Sequence, residues 1–77
     1  MKWVPVKSRM LAAAAYNQQW RQLYLRFRKG EVYCYRQVPP ECYEELLAAD
    51  SKGKYVRSRI LNRYPYQRLY SAVPVAS

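Results

Sequence analysis

The sequence predicts an α+β domain: a three-stranded antiparallel β-meander followed by two short helices packed on one face. The first half of the chain contains two runs in which apolar and polar residues alternate, 20–28 and 32–36. The second half contains two stretches with apolar residues at helical spacing, 40–49 and 53–64. The 77 residues are enough for one small domain with a thin core.

The first strand of the meander is expected over 8–16, although its four consecutive alanines are poor strand formers. The second strand follows a polar break at 17–19, and its apolar residues alternate with residues that would form a basic outer face. Val38-Pro39-Pro40 ends the third strand, because proline cannot continue the hydrogen-bonded ladder.

The loop 28–30 decides which side chains of the second and third strands share a face. A three-residue loop needs a positive φ at its last position, which its glycine supplies. It would place Leu25 opposite Tyr33 and Leu23 opposite Tyr35. A loop shorter by one residue would turn both tyrosines outward, where they would form a stacking platform for bases. We favour the first register, in which both tyrosines join the core.

The first helix, 40–49, has its acidic residues near the N-terminus, where the helix dipole favours them. Asp50 or Ser51 is expected to cap the second helix, 53–64, which Pro65 ends. The expected core takes residues from both halves of the chain: Leu23, Leu25, Phe27, Tyr33, Tyr35, Val38, Tyr43, Leu46, Val56, Ile60 and Tyr64. We divide the chain into an N-terminal segment 1–7, a domain 8–65 and a C-terminal tail 66–77.

Charge is distributed unevenly along the chain. Fourteen Lys and Arg residues against five Asp and Glu residues give a formal charge of +9. Residues 41–50 hold four of the acids and no base, so the remainder, with all 14 bases and one acid, carries +13. Most of the surface is therefore strongly positive, which is typical of proteins that bind polyanions.

Several classes of function are excluded by the residues that the sequence lacks. With no histidine, it offers neither an imidazole base nor a histidine ligand for a metal. Cys34 and Cys42 lack the C-x-x-C spacing of zinc sites and redox motifs, and we expect buried free thiols. We therefore expect no enzymatic activity, no metal and no cofactor.

The expected compartment is the reducing cytosol, and we expect a monomer that does not associate with membranes. No run approaches the ~20 apolar residues of a membrane helix. The apolar run 10–15 after two lysines is too short for the hydrophobic region of a signal peptide.

An ordered set of residues runs across the middle of the chain: Ser8, Tyr16, Asn17, Leu23, Leu25, Phe27, Gly30, Tyr33, Tyr35, Val38, Pro39, Tyr43, Leu46, Ala49, Ser51, Gly53, Tyr55, Ile60 and Tyr64. This set, which covers about residues 8–65, resembles the KTSC domain, a family named for its place at the C-terminus of some lysyl-tRNA synthetases. It implies a small domain that also occurs alone in bacteria. The synthetase context suggests RNA binding.

Two groups of residues are candidates for binding nucleic acid. The outer strand face carries Tyr24, Arg26, Arg28 and Arg36, and an exposed tyrosine among arginines is common chemistry for single-stranded RNA. The second helix carries Lys52, Lys54, Arg57, Arg59 and Arg63, and its first turn is a candidate phosphate site. The alternative interpretations are a solvated basic strand face and an ordinary helix cap.

The sequence therefore predicts a small, non-catalytic basic module that binds RNA through arginines and an exposed tyrosine. The alternative function is a protein-interaction module, because the acidic segment 41–50 makes the molecule dipolar. Exposed Trp3 or Trp20 would favour this alternative.

Overall fold

The computed structural model of the chain describes residues 2–70. It contains one five-stranded antiparallel sheet and two short helices. The elements in chain order are β1 Val4–Pro5, β2 Leu11–Asn17, β3 Gln22–Phe27, β4 Val32–Tyr35, α1 Pro40–Ala48, α2 Lys52–Tyr55 continued by a π-helical segment Val56–Ile60, and β5 Tyr66–Tyr70. The α+β class is confirmed.

The sheet keeps its strands in sequence order from β1 to β5, so every neighbouring pair is antiparallel. In the β3–β4 hairpin, Leu25 lies opposite Tyr33 and Leu23 lies opposite Tyr35. Gly30 has a φ of 103°, as the three-residue loop requires. The predicted hairpin register is confirmed.

Two strands were missed, so the prediction of a three-stranded sheet was wrong in number. The N-terminal segment contributes β1, and residues 66–70 of the expected tail form β5 along the free edge of β4. Neither strand shows period-two hydrophobicity, because β1 is two residues long and residues 66–69 are all exposed. The rest of the expected tail, residues 71–77, lies outside the described part of the chain.

Both helices form close to the expected positions, but the second is shorter than predicted. Ser51 is its N-cap, and the hydroxyl oxygen accepts a hydrogen bond from the Lys54 amide at 3.3 Å. The helix widens after Tyr55 and ends at Ile60 instead of reaching 64. Its end comes early because the next residue, Leu61, is extended, and Asn62 then has a φ of 66° that turns the chain towards β5.

The core lies between the helices and one face of the sheet, the inner face. Leu23, Leu25 and Tyr35 from the sheet pack against Leu46 and Ile60 from the helical side, and all five are buried. Every residue predicted for the core belongs to this cluster or packs against it. In the described part of the chain, no helix is long and apolar enough to cross a bilayer.

Candidate nucleic-acid interface

The face of the sheet that points away from the helices, the outer face, carries an aromatic–arginine cluster. Register places Tyr24 and Arg26 on this face, alternating with the core leucines of β3. The Arg26 guanidinium carbon lies 4.9 Å from the centre of the Trp3 ring, within range of a cation–π interaction. Trp3 also meets Tyr24 edge to face, at 6.4 Å between ring centres.

Small residues beside Tyr24 allow its ring to lie close to the sheet. Its register partners are Ala15 on β2 and Cys34 on β4, both buried outside the main core cluster. The Tyr24 hydroxyl donates a hydrogen bond to the Gln22 side-chain oxygen at 2.9 Å. Burial and the neighbouring Cys34 raise the pKa of Tyr24, so the ring stays neutral at physiological pH.

A shallow cavity of about 520 Å³ opens beside the cluster. Trp3 and Arg26 line it together with Val32 and Leu69. Leu69 is 49% exposed, so its apolar surface is available to a ligand. A cavity with an aromatic ring, a guanidinium and two aliphatic side chains suits a flat, partly apolar group such as a base.

The strands that form the sheet contain no carboxylate in the described residues, and this sets the electrostatics of the outer face. Arg36 adds positive charge to the outer face, because it follows β4 two residues after Cys34 and therefore lies on the same side of the chain. Arg26 lies opposite Val32 on β4. Arg36 comes four residues after Val32, which corresponds to about 13 Å along an extended chain. The face therefore presents spaced guanidinium groups without carboxylates on the same strands.

Arg28, Lys52 and Arg57 lie at a different place, a cluster we call the basic end. The Arg28 side chain donates from Nε to the Ser8 carbonyl, which draws it towards the β1–β2 connection. Lys52 donates from Nζ to the Ala49 carbonyl at 2.8 Å, at the end of α1. The basic end also contains three cations outside the predicted set and is defined by Lys7, Arg9, Arg28, Lys29, Lys52 and Arg57.

Arg59 and Arg63, by contrast, lie among acids. They line a cavity of about 210 Å³ together with Glu41 and Glu45 from α1. A polyanion approaching these arginines would meet two carboxylates, so the site is poorly suited to phosphate. Lys54 is exposed on α2 and lines none of these cavities.

The cavity that Arg59 and Arg63 line also contains a small hydrogen-bonded cluster. The Cys42 sulfur lies 3.3 Å from the Tyr55 hydroxyl, which donates to a Glu45 carboxylate oxygen at 2.7 Å. Burial, followed by these two partners, raises the pKa of Tyr55, while burial and Cys42 raise the pKa of Tyr64. Both tyrosines are therefore neutral at physiological pH and act as hydrogen-bonding groups.

Tyr33 and Tyr35 belong to the inner face, where Tyr35 is 1% exposed. Tyr33 stacks on Tyr66 of β5 at 5.5 Å between ring centres, and Tyr66 is 58% exposed. The interpretation as a core residue is confirmed for Tyr35, whereas Tyr33 is half-buried and packs against the core. Cys34 and Cys42 are buried free thiols, as expected.

Three side chains of the outer face and the basic end were not assigned to a nucleic-acid surface from the sequence: Trp3, Lys7 and Lys29. The segment around Trp3 has no periodicity that would place it on the sheet. The exposed position of Lys29 could have been predicted, because a residue in the loop of a tight hairpin must lie at its tip. Arg9 lies at the basic end, not on the outer face.

The fold and surface define a class of protein: a small basic α+β domain with helices on one face of an antiparallel sheet and an aromatic–arginine cluster on the other. Residues 7–64 match the KTSC domain family. The chain belongs to this family, as the resemblance in its sequence indicated.

Relatives of this chain occur in several bacteria. A protein of Tsukamurella paurometabola is 42% identical over 60 residues, which cover 78% of this chain and 90% of that protein. An uncharacterized protein of Stutzerimonas stutzeri is 38% identical over 55 residues, covering 71% of this chain and 78% of that protein. A lysine–tRNA ligase of Nostoc punctiforme is 34% identical over 55 residues, covering 71% of this chain and 10% of the ligase.

A solved structure has the same fold. The crystal structure of a KTSC domain protein from Yersinia pestis matches with a TM-score of 0.87 and 25% sequence identity. The match covers 90% of this chain and 97% of that one. The five-stranded sheet with its two helices is therefore found in another KTSC domain protein, and the family is that of a small domain, with no enzyme class indicated for it.

Proposed function

We propose that this KTSC domain is a non-catalytic module that binds single-stranded RNA on the outer face of its sheet. The observation that carries the proposal is the Arg26 guanidinium held over the Trp3 ring beside Tyr24, on a face formed by strands without carboxylates. Stacking of bases on such rings is worth about 1–3 kcal/mol per base and tolerates many sequences. The arginine forks supply contacts to phosphate.

RNA is favoured over DNA by one relative. The lysine–tRNA ligase contains a segment similar to this chain, so a related domain occurs in a protein named for its tRNA substrate. Two buried free thiols are typical of a reducing compartment, and we place the proposed activity in the cytoplasm.

The test measures binding of a labelled single-stranded RNA of about 16 nucleotides by fluorescence anisotropy at about 50 mM salt. The outer-face variants are Trp3→Ala and the pair Arg26→Ala/Arg36→Ala. Loss of one stacking ring should weaken binding about 5- to 150-fold, which corresponds to about 1–3 kcal/mol. The arginine pair should weaken binding at least about tenfold, because it removes two charged contacts.

The matched control is Arg59→Ala/Arg63→Ala. It removes the same number of charges as the outer-face pair, but from the cavity that Glu41 and Glu45 also line. We expect the control to change affinity by less than about threefold, within the range of remote charge effects. Absence of binding to wild-type protein at low salt would remove the proposal, and equal loss in both pairs would reduce it to bulk electrostatics.

Protein–protein interaction is the second candidate, and Trp20 favours it. This side chain is 66% exposed at the β2–β3 turn, whose first residue, Asn17, accepts the Trp20 amide hydrogen bond at 3.1 Å. Large exposed aromatic side chains are frequent anchors of protein interfaces. A Trp20→Ser variant that binds RNA normally but loses a protein partner would assign this turn to the second function.

A further inference from the structure

The basic end consists of two adjoining clefts of about 500 and 400 Å³. Arg9, Met10 and Arg57 line both clefts, so the two share a common wall. The segment 7–10 between β1 and β2 forms one side, and residues 50–53 at the start of α2 form the opposite side of the larger cleft. The smaller cleft is completed by the β3–β4 hairpin.

Ser8 fixes the shape of this region and retains a donor for a ligand. Its hydroxyl oxygen accepts hydrogen bonds from the amides of Met10 and Leu11, both at 3.1 Å. Because that oxygen acts as the acceptor in both bonds, the hydroxyl proton is free to be donated. The Ser8 carbonyl accepts from Arg28 Nε, which leaves the terminal nitrogens of this guanidinium available.

Gly53 leaves space in the wall of the larger cleft. A Cβ atom there would lie 3.5 Å from the Met10 Cβ and 4.0 Å from the Ser8 hydroxyl oxygen, in ordinary van der Waals contact. With hydrogen in its place, the small residues Ser8 and Gly53 line the cleft together with longer basic side chains.

The charge of the basic end suits a dianion. Six cations line the two clefts against two carboxylates, Asp50 and Glu31, so the formal charge is +4. A terminal phosphate carries about −1.5 to −2 and three acceptor oxygens, whereas a phosphodiester carries one charge and continues on both sides. A concave site with donors from three separate chain segments can engage all three oxygens of a terminal group at once.

The geometry points to a binding site for a terminal phosphate group at the basic end, with Arg9 and Arg57 as its central contacts. Where that phosphate belongs to RNA, the inference rests on the proposed function, since the same strand would lie on the outer face of the sheet. A free phosphate compound such as pyrophosphate offers the same chemistry.

The test compares RNAs of one sequence that end in a hydroxyl, a 5′-phosphate or a 3′-phosphate, together with inorganic pyrophosphate titrated by calorimetry. Wild-type protein should bind at least one phosphorylated RNA about tenfold more tightly than the hydroxyl form. Arg9→Ala/Arg57→Ala should abolish this difference, while Arg59→Ala/Arg63→Ala, with the same loss of charge, should retain it. Arg9→Lys/Arg57→Lys should retain part of it, because charge remains but the planar fork is lost.

Both arginines are exposed, so their substitution should leave the melting temperature nearly unchanged, and a thermal melt checks this. Equal affinity for hydroxyl and phosphorylated RNAs, with no binding of pyrophosphate, would overturn the inference. The outer-face proposal would survive that result if binding still required Trp3. Pyrophosphate binding that needs Arg9 and Arg57, without any RNA binding, would establish the phosphate site and remove the proposed function.

Discussion

At the scale of single residues, the two glycines of the chain perform different tasks. Gly30 has a φ of 103°, in a region that residues with a side chain rarely adopt, and it closes the β3–β4 hairpin. Gly53 lies in α2 with room for a Cβ atom in ordinary contact with Met10. One glycine is needed for its backbone conformation and the other for the space it leaves.

We therefore predict opposite effects for the same substitution at these positions. Gly30→Ala should lower the free energy of unfolding by about 1–2 kcal/mol, because alanine is strained at positive φ. Gly53→Ala should raise it by about 0.5–1 kcal/mol, because alanine is the better helix former. Urea unfolding followed by circular dichroism measures both, and equal destabilisation by the two variants would contradict the assignment.

Tyr35 provides a pH-dependent contribution to stability. Burial, followed by the neighbouring Tyr33 and Tyr66, raises the pKa of Tyr35 from 10 to about 12. The fold therefore favours the neutral phenol. Its contribution is fully present below pH ~10 and is lost as the pH rises through about 12.

The second prediction follows from the upward direction of this pKa shift. Between pH 10 and 12 the stability of the wild-type protein should fall, and in Tyr35→Phe it should fall less steeply, by up to about 1.4 kcal/mol per pH unit. Denaturant midpoints measured across this range give both slopes. Burial also raises the pKa of Tyr16 and Tyr43, so a decline should remain in the variant, while parallel curves for the two proteins would contradict the role of Tyr35.

At the scale of elements, the β3–β4 hairpin could be predicted and β5 could not, for a physical reason. Within the hairpin, β3 buries Leu23 and Leu25 on its inner side, and they alternate with less buried residues of the outer face. β5 is stabilised by pairing with β4 and by aromatic contacts, which require no alternation of apolar residues within β5 itself. Its residues 66–69 are exposed, as in a tail.

The third prediction tests how β5 is attached. Tyr66 stacks on Tyr33 at 5.5 Å and meets Tyr35 at 5.7 Å between ring centres. Tyr66→Ala should cost about 1–3 kcal/mol, since each aromatic pair contributes about 0.5–1.5 kcal/mol. Gln67→Ala, an exposed position opposite Cys34 on the same strand, should change stability by less than about 0.5 kcal/mol. Equal values for the two variants would contradict attachment through the tyrosines.

At the scale of the whole molecule, the acids are concentrated in one segment. Four of the five acids lie in 41–50, on the helical side, while the described strands contain none. The block of acids was visible in the sequence, as were the arginines in and next to β3, Arg21, Arg26 and Arg28. Which arginines share a surface was not, because the basic end joins three segments far apart in the chain, and Arg59 and Arg63 turn towards the acids of α1.

The absence of acids from the described strands leads to the last prediction, which concerns salt. For single strands, the logarithm of affinity falls with the logarithm of salt concentration by about 0.7 for each phosphate neutralised. Arg26→Ala/Arg36→Ala should therefore make the slope shallower by about 1.4. The control Arg59→Ala/Arg63→Ala should keep the wild-type slope, because those guanidinium groups share their cavity with Glu41 and Glu45. Anisotropy titrations between about 50 and 200 mM salt measure all three slopes. If both pairs changed the slope equally, RNA would be attracted by net charge alone, and the outer face would have no preferred role.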